Sequence, residues 1–456
     1  MHRHRDRKYL QYLLIFLFAG LFLVLSAMNA RALPSFSRQT SMTCGACHTV
    51  FPELTPFGRT FKCTGYTLSA TGGTGPYSPP ISAAFQASAT SLRKNDDILT
   101  NGVAPFGNPK DSATDRYNLP QEAAVFYAGR IGGGFGALVE VEYDGTANGV
   151  ALDMTDIRYA HVFPLGGTRL ILGFTLNNSP TLEDLWNTVP TWSFPYVESE
   201  AAPTPGASPL INGLGEQVGG LGIYAQLNEL AYAAFTIYRT TENGLTRPLG
   251  AGSTIDPVIE GAMPYWRFAL FHNRGNHSVE AGTYGLYARI EPAGITDGST
   301  DKFTDIGFDF QYQYIASPHL FSIQATWIDE KQDWDATYKL GDVANRETRL
   351  NQFKVNANYH YRAGESTYGG TIGYFRIDGD KDGGLYAPNP VDGSRTGSPN
   401  SDGFILELDY LIRERYKFTI QYTIYKKFNG SVSNYDGFGR DASDNNTLYF
   451  MVWLAF

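Results

Sequence analysis

The sequence predicts an all-β fold, a 16-stranded antiparallel transmembrane β-barrel of porin-like type, and three observations carry that expectation. Side-chain polarity alternates with period two from residue 81 to the C-terminus, with no sustained helical period. The connections between alternating stretches are by turns very short and long. The last stretch alternates up to a terminal Phe456. Composition agrees, since 456 residues include 49 Gly, 29 Tyr and 29 Phe with only 18% charged residues, which excludes a disordered or collagenous chain. Three cysteines exclude a disulfide scaffold.

Strands are expected at 81–94, 122–132, 135–144, 153–165, 168–177, 217–228, 230–240, 263–274, 277–290, 303–316, 319–333, 348–362, 366–379, 402–414, 416–428 and 446–456. Connections after even-numbered strands are tight, among them Gly133-Gly134, Gly166-Gly167, Gly275-Asn276 and Ser317-Pro318. Those after odd-numbered strands are long, the extreme being 178–216. This is the pattern of periplasmic turns and external loops, and an even strand count returns both ends to the periplasmic side. In the tenth strand Phe308, Phe310, Tyr312 and Tyr314 oppose Asp309, Gln311 and Gln313. The twelfth opposes Phe353, Val355, Ala357, Tyr359 and Tyr361 to Lys354, Asn356, Asn358, His360 and Arg362. Alternation alone fits a soluble β-sandwich as well as a lipid-facing barrel. The closing run Leu448, Phe450, Val452, Leu454 and Phe456 favours the barrel, because a terminal Phe resembles the recognition signal of the barrel-assembly machinery.

Residues 1–8 are basic, Tyr9–Met28 are apolar apart from Gln11 and Ser26, and Ala30-Arg31-Ala32 is a small-x-small cleavage pattern. Residues 1–32 therefore read as a signal peptide, the alternative being a retained membrane anchor. Its removal takes five basic residues (Arg3, Arg5, Arg7, Lys8, Arg31) and one acidic residue (Asp6). That leaves 31 basic against 44 acidic, a net charge of −13. Such a balance argues against nucleic acid as a partner.

Cys44-Gly45-Ala46-Cys47-His48 is the most specific motif in the chain. Two thiols three positions apart on a tight turn can both form thioethers to one haem c, and His48 then offers its imidazole to the iron as proximal ligand. A thioredoxin-like dithiol would need a βαβ context, and a zinc site would need a second ligand pair nearby; neither is present in the sequence. The distal ligand is not readable. Met42 lies on the near side of the motif, and Met154, Met263 and the later histidines are further candidates. Cys63 is left over and reads as a small buried hydrophobe rather than a ligand.

The stretch 33–68 resembles the start of the fused outer-membrane monohaem cytochrome c–porin family of iron-oxidising bacteria. The resemblance rests on Pro34 with Phe36, Arg38-Gln39-Thr40, the haem motif, Phe51-Pro52-Glu53-Leu54-Thr55-Pro56-Phe57-Gly58-Arg59, Phe61-Lys62 and Gly65-Tyr66. Cys63 departs from the pattern, where an aliphatic residue is usual. The resemblance implies a one-haem domain at 33–78, plugging the lumen of a barrel at 79–456 after a Gly/Pro/Ser linker. It implies electron transfer from extracellular Fe(II) through haem c to a periplasmic cytochrome or copper protein, with the chain set in outer-membrane lipid. The haem domain is placed in the lumen or on the periplasmic side, and in the lumen it would bring iron towards the outer mouth. No acid, base or nucleophile is needed for such a reaction, so no catalytic residue is expected. The alternatives are a solute porin with a tethered periplasmic cytochrome, or a conduit for a different donor or acceptor.

Weaker signals are weighed alongside. Gly132–Gly136 lacks the ending of a phosphate loop and reads as a hairpin turn. Asp378, Asp380 and Asp382 open like a calcium loop, but Asn389 stands where a Glu should, so a solvated acidic loop is expected. The lumen acids Glu140, Glu142, Asp309, Glu407 and Asp409 could draw Fe²⁺ inward, though wetting the channel is the simpler expectation. The loop 178–216, with Glu183, Asp184, Trp186 and Trp192, occupies the serial position at which general porins fold a loop inward.

Overall fold

The computed structural model describes residues 34–70, 79–94, 115–240, 258–292 and 297–456. The leader and most of the linker lie outside the described residues. Three short helices come first: α1 (Pro34–Thr40), α2 (Cys44–Cys47) and α3 (Pro56–Cys63). The barrel strands are β1 (Ile81–Leu92), β2 (Asp115–Gly132), β3 (Phe135–Asp144), β4 (Gly149–Leu165), β5 (Thr168–Asn177), β6 (Val218–Leu227), β7 (Ala231–Thr240) and β8 (Met263–Arg274). They continue as β9 (His277–Glu291), β10 (Asp301–Ala316), β11 (His319–Asp333), β12 (Glu347–Ala363), β13 (Ser366–Gly379), β14 (Ser401–Ile412), β15 (Tyr416–Lys427) and β16 (Thr447–Ala455). A two-residue strand in the β7–β8 loop, Val258–Ile259, adds to the edge of β9.

Every strand pairs antiparallel with its sequence neighbours, and β1 also pairs with β16, from Ala84↔Ala455 to Leu92↔Thr447, which closes the barrel. Closure satisfies all strand edges and leaves none to aggregate. All sixteen expected strands are present. The largest boundary difference is β2, which begins at Asp115 rather than 122 and pairs its first residues with Ser88–Ser91 of β1. The Gly133-Gly134 hairpin has φ of 58° and 89°, a left-handed turn that only glycine adopts freely and that matches strand twist.

The two faces separate the barrel from the soluble alternative. On β14, Leu408 is 64% exposed while its neighbours Glu407 and Asp409 are 3% and 7% exposed. Phe308 of β10 is exposed, and Gln311 and Gln313 are buried. A water-soluble sandwich would bury the first set and expose the second. The apolar exterior suits lipid, and the polar groups point into the lumen.

Two layers fill that lumen. Residues 34–70 occupy the half bounded by the short turns: Glu53 accepts from Gln313, Ser322 and Asn358, and Arg59 donates to Gln311, Gln313 and Ser278. The loop between β5 and β6 folds inward above it, towards the long-loop half. Its Arg-paired acids Glu183 and Asp184 and its Leu182, Leu185, Trp186 and Val189 are all buried. Farther along the same loop, the Leu210 and Ile211 amides bond Glu330 and Asp305.

Candidate haem-attachment site

The motif Cys44–His48 lies at the short-turn rim. Glu414 and Arg362, which hold it there, stand at or beside the ends of strands at tight turns. The helix α2 has no side-chain cap of its own from Thr43. Glu414, in the β14–β15 turn, accepts instead from the Cys44 and Gly45 amides at 2.8 and 3.0 Å. Four amides at a helix start lack internal partners and favour an anion, so a carboxylate stabilises this end. Arg362, one residue from the end of β12, donates to the carbonyls of His48 (2.8 Å) and Thr49 (3.1 Å).

The next helix locks the motif from the other side. Thr55 caps α3 through Gly58 N–H at 3.2 Å, and its hydroxyl also donates to Ala46 O at 2.7 Å. A Cβ on Gly58 would fall 2.3 Å from Cys47 O, so only glycine lets α3 approach this closely.

His48 has the arrangement that iron ligation needs. Its Nδ1 lies 3.1 Å from Pro52 O, which can only accept, so Nδ1 carries the proton and Nε2 keeps its lone pair. Burial pushes its pKa down to about 4, against smaller opposing contributions from the Pro52 carbonyl and Glu414. A ligating histidine must be neutral, and this one is. Burial pushes the Cys47 thiol up to about 11, contrary to the low-pKa thiolate of a redox dithiol. The His48 ring is 5.3 Å from Phe51, which stacks on Trp453 of β16 at 5.0 Å.

Cys44, Cys47 and His48 line one cavity of about 500 Å³, within the range of cofactor pockets. Phe36, Phe61, Phe126, Leu138 and Trp453 make its walls chiefly apolar. Two thiols one helical turn apart, a neutral imidazole with its far nitrogen held, apolar walls and sufficient room all fit a haem.

Of the distal candidates, Met42 and Met154 line this cavity, Met42 being 40% exposed. Met263 is packed among Tyr238, Tyr265 and Tyr284 elsewhere in the lumen. His277 and His319 bond tyrosines on the exposed side of the strands, and His360 faces Asp409 at 3.7 Å. Met451 also lines the cavity and was not singled out from sequence, although its inward register with Tyr449 and Trp453 was readable. Cys63 is fully buried beside Trp186, Tyr224 and Tyr232, the small hydrophobe expected.

Three of the lumen acids, Asp309, Glu407 and Asp409, are engaged by neighbouring side chains. Asp309 is bound by Arg267 at 2.7 Å and by Thr188 at 2.5 Å. Asp409 pairs with Lys417 at 3.1 Å, and Glu407 accepts from Gln421. Glu140, Glu142 and Glu122 bring carboxylate oxygens within 4.8 Å of one another. In the acidic loop Asp382 accepts four backbone amides, from Ala344, Asn345, Gly384 and Leu385, while Asp380 takes the Arg349 amide and Asp378 pairs with Arg376. The three aspartates of this loop thus take separate partners.

No protein-family model matches the chain, and no curated protein does. Among solved structures it is similar to the outer membrane channel DcaP of Acinetobacter baumannii, at 12% identity and a TM-score of 0.46, covering 82% of this chain and 96% of that one. It is also similar to a loop-deletion mutant of OmpT of Vibrio cholerae (8% identity, TM-score 0.44, 82% and 98% covered). A third is Salmonella typhi OmpF in complex with daunomycin (10%, 0.42, 82% and 97%).

Proposed function

We propose that the chain is an outer-membrane electron conduit, in which a single haem c held by Cys44, Cys47 and His48 takes electrons from extracellular Fe(II) and passes them to a periplasmic carrier. The observation that carries this reading is His48, neutral and oriented by Pro52, sharing one apolar cavity with both motif cysteines. The exposed apolar belt supports a membrane setting, and the short turns mark the periplasmic rim.

The haem, when bound, supplies a one-electron couple. The protein residues do the rest. Glu414 and Arg362 fix the attachment segment at the periplasmic rim, within reach of a soluble carrier. Phe51 and Trp453 exclude water from the His48 side. The inward loop and residues 34–70 fill the lumen, which keeps the membrane insulating while one electron enters from Fe(II) and one leaves.

The test is anaerobic stopped-flow absorbance after addition of Fe(II) to the purified protein. Rapid growth of the reduced α-band, lost in a Cys44→Ser/Cys47→Ser variant that still folds as a barrel, supports the conduit. A haem reduced by dithionite but not by Fe(II) overturns the donor.

A solute porin with an attached cytochrome is the second reading. The 16-stranded architecture and the inward third loop favour it, together with a more polar cavity of about 420 Å³ between that loop and β12–β15. Planar-bilayer conductance separates the two, because a packed lumen passes little current and an open one passes a steady current.

A further inference from the structure

Two buried donors in the cavity wall have fewer acceptors than they can use. The Trp192 indole Nε1–H is shielded from solvent and has no hydrogen-bond partner among the described residues. Lys62, 6% exposed, places its ammonium 5.6 Å from the centre of the Trp192 ring and gives one hydrogen bond, to Asp184 O at 2.9 Å. An ammonium carries three donors. No carboxylate lies within ion-pair distance of Lys62 among the described residues, whereas the Asp184 carboxylate is taken up by Arg267. Both donors line the cavity that holds Cys44, Cys47 and His48.

The cavity's other cations are already engaged. Arg362 is spent on the carbonyls of His48 and Thr49, and Lys417 on Asp409. Elsewhere the wall is lined by Glu122, Glu140 and Asp153, which provide no cation for a negative group. A buried cation and a buried N–H left short of acceptors are costly, and one carboxylate between them would satisfy both.

We propose that Lys62 and Trp192 form a carboxylate-binding site that receives a propionate of the haem. The assignment rests on the haem reading above. It sets the macrocycle's polar edge against α3 and the inward loop, away from the Glu122–Glu140 wall. It also gives α3 a direct part in tuning the potential, since the Lys62 charge favours the reduced haem, while the inward loop contributes the Trp192 N–H. Burial lowers the Lys62 pKa to about 8, so the ammonium is still charged at neutral pH.

The experiment is redox titration and resonance Raman spectroscopy of purified holoprotein at neutral pH, on wild type, Lys62→Met, Lys62→Arg and Trp192→Phe. Covalent haem content by pyridine haemochrome tests the haem reading separately: wild type without haem removes that reading, and this proposal with it. With haem present, the expected result is a lower midpoint potential and a shifted propionate bending band in Lys62→Met. Trp192→Phe should shift the same band, and Lys62→Arg should restore the potential. Unchanged bands and potentials in both Lys62→Met and Trp192→Phe overturn the site. A shift on Lys417→Met instead places the propionate at the opposite wall and overturns it equally.

Discussion

Glu414 accepts the Cys44 amide at 2.8 Å across 370 positions of sequence, so a short turn of the barrel caps the helix that carries both motif cysteines. Arg413 and Glu414 both have left-handed φ, of 52° and 57°, as the two central residues of a type I′ hairpin turn require. Docking of the motif therefore depends on completion of the barrel. The cysteines have a defined place only once β14 and β15 are paired.

Replacing Glu414 by Gln should keep the shape and remove the charge from this cap. Charge-assisted bonds contribute about 1.5–3 kcal/mol where buried, and this pair is partly exposed, so a loss on the order of 1 kcal/mol is expected. Hydrogen exchange at Cys44 and Gly45 should accelerate while the barrel amides stay protected. Equal protection in the variant would show that the cap does not hold the motif.

Gly58→Ala should be more damaging than its single methyl suggests. The added carbon would lie 2.3 Å from Cys47 O, and backbone cannot yield as a flexible side chain can. Overpacking of this kind costs about 1–3 kcal/mol, and here it would push α3 off the motif. The expected outcome is a folded barrel with reduced covalent haem, measured as haem stain per barrel. Full haem content would mean that α2 and α3 need not pack together.

Much of this was legible beforehand, for reasons that differ between the barrel and the site. The strands were readable because lipid on one side and lumen on the other impose a strict period of two, and because turns such as Gly133-Gly134 demand glycine. The start of β2 was hidden, since residues 115–121 contain Pro120, which cannot donate to a ladder, and they pair only because β1 extends opposite them. The motif was readable because its chemistry is local. Its holders were not: Arg362 read only as one polar-face residue of its strand, and Glu414 carried no signal, until closure brought them to Cys44 and His48. The partners of Asp309, Glu407 and Asp409 were hidden for the same reason, because Arg267 and Lys417 lie on other strands.

Arg267 should be the residue on which the inward loop depends. It meets Asp184 of that loop at 2.9 Å and Asp309 of β10 at 2.7 Å, all fully buried. Removing one partner of a buried network leaves uncompensated charge and costs about 3–5 kcal/mol. Arg267→Met should therefore lower the urea midpoint and free the loop from the β10 wall, raising bilayer conductance above that of wild type. A variant that stays as tightly insulating as wild type would show that the loop is held by its apolar contacts alone.

The Lys62 environment predicts a pH dependence that distinguishes protein without haem from protein with it. In the Cys44→Ser/Cys47→Ser variant the Lys62 pKa is about 8 in the folded state, lowered chiefly by burial, against 10.5 when unfolded. Between those values the unfolded chain holds a proton that the folded chain has released, so stability rises with pH across the window. The full gain is roughly 3 kcal/mol, complete above the unfolded pKa and absent below the folded one. Urea unfolding in detergent between pH 8 and 10.5 should show this rise, and the same variant carrying Lys62→Met should lack it. In haem-loaded protein a propionate beside Lys62 would hold the ammonium charged to higher pH, so the rise should shrink or vanish there. An equal rise with and without haem would mean that no anion reaches Lys62.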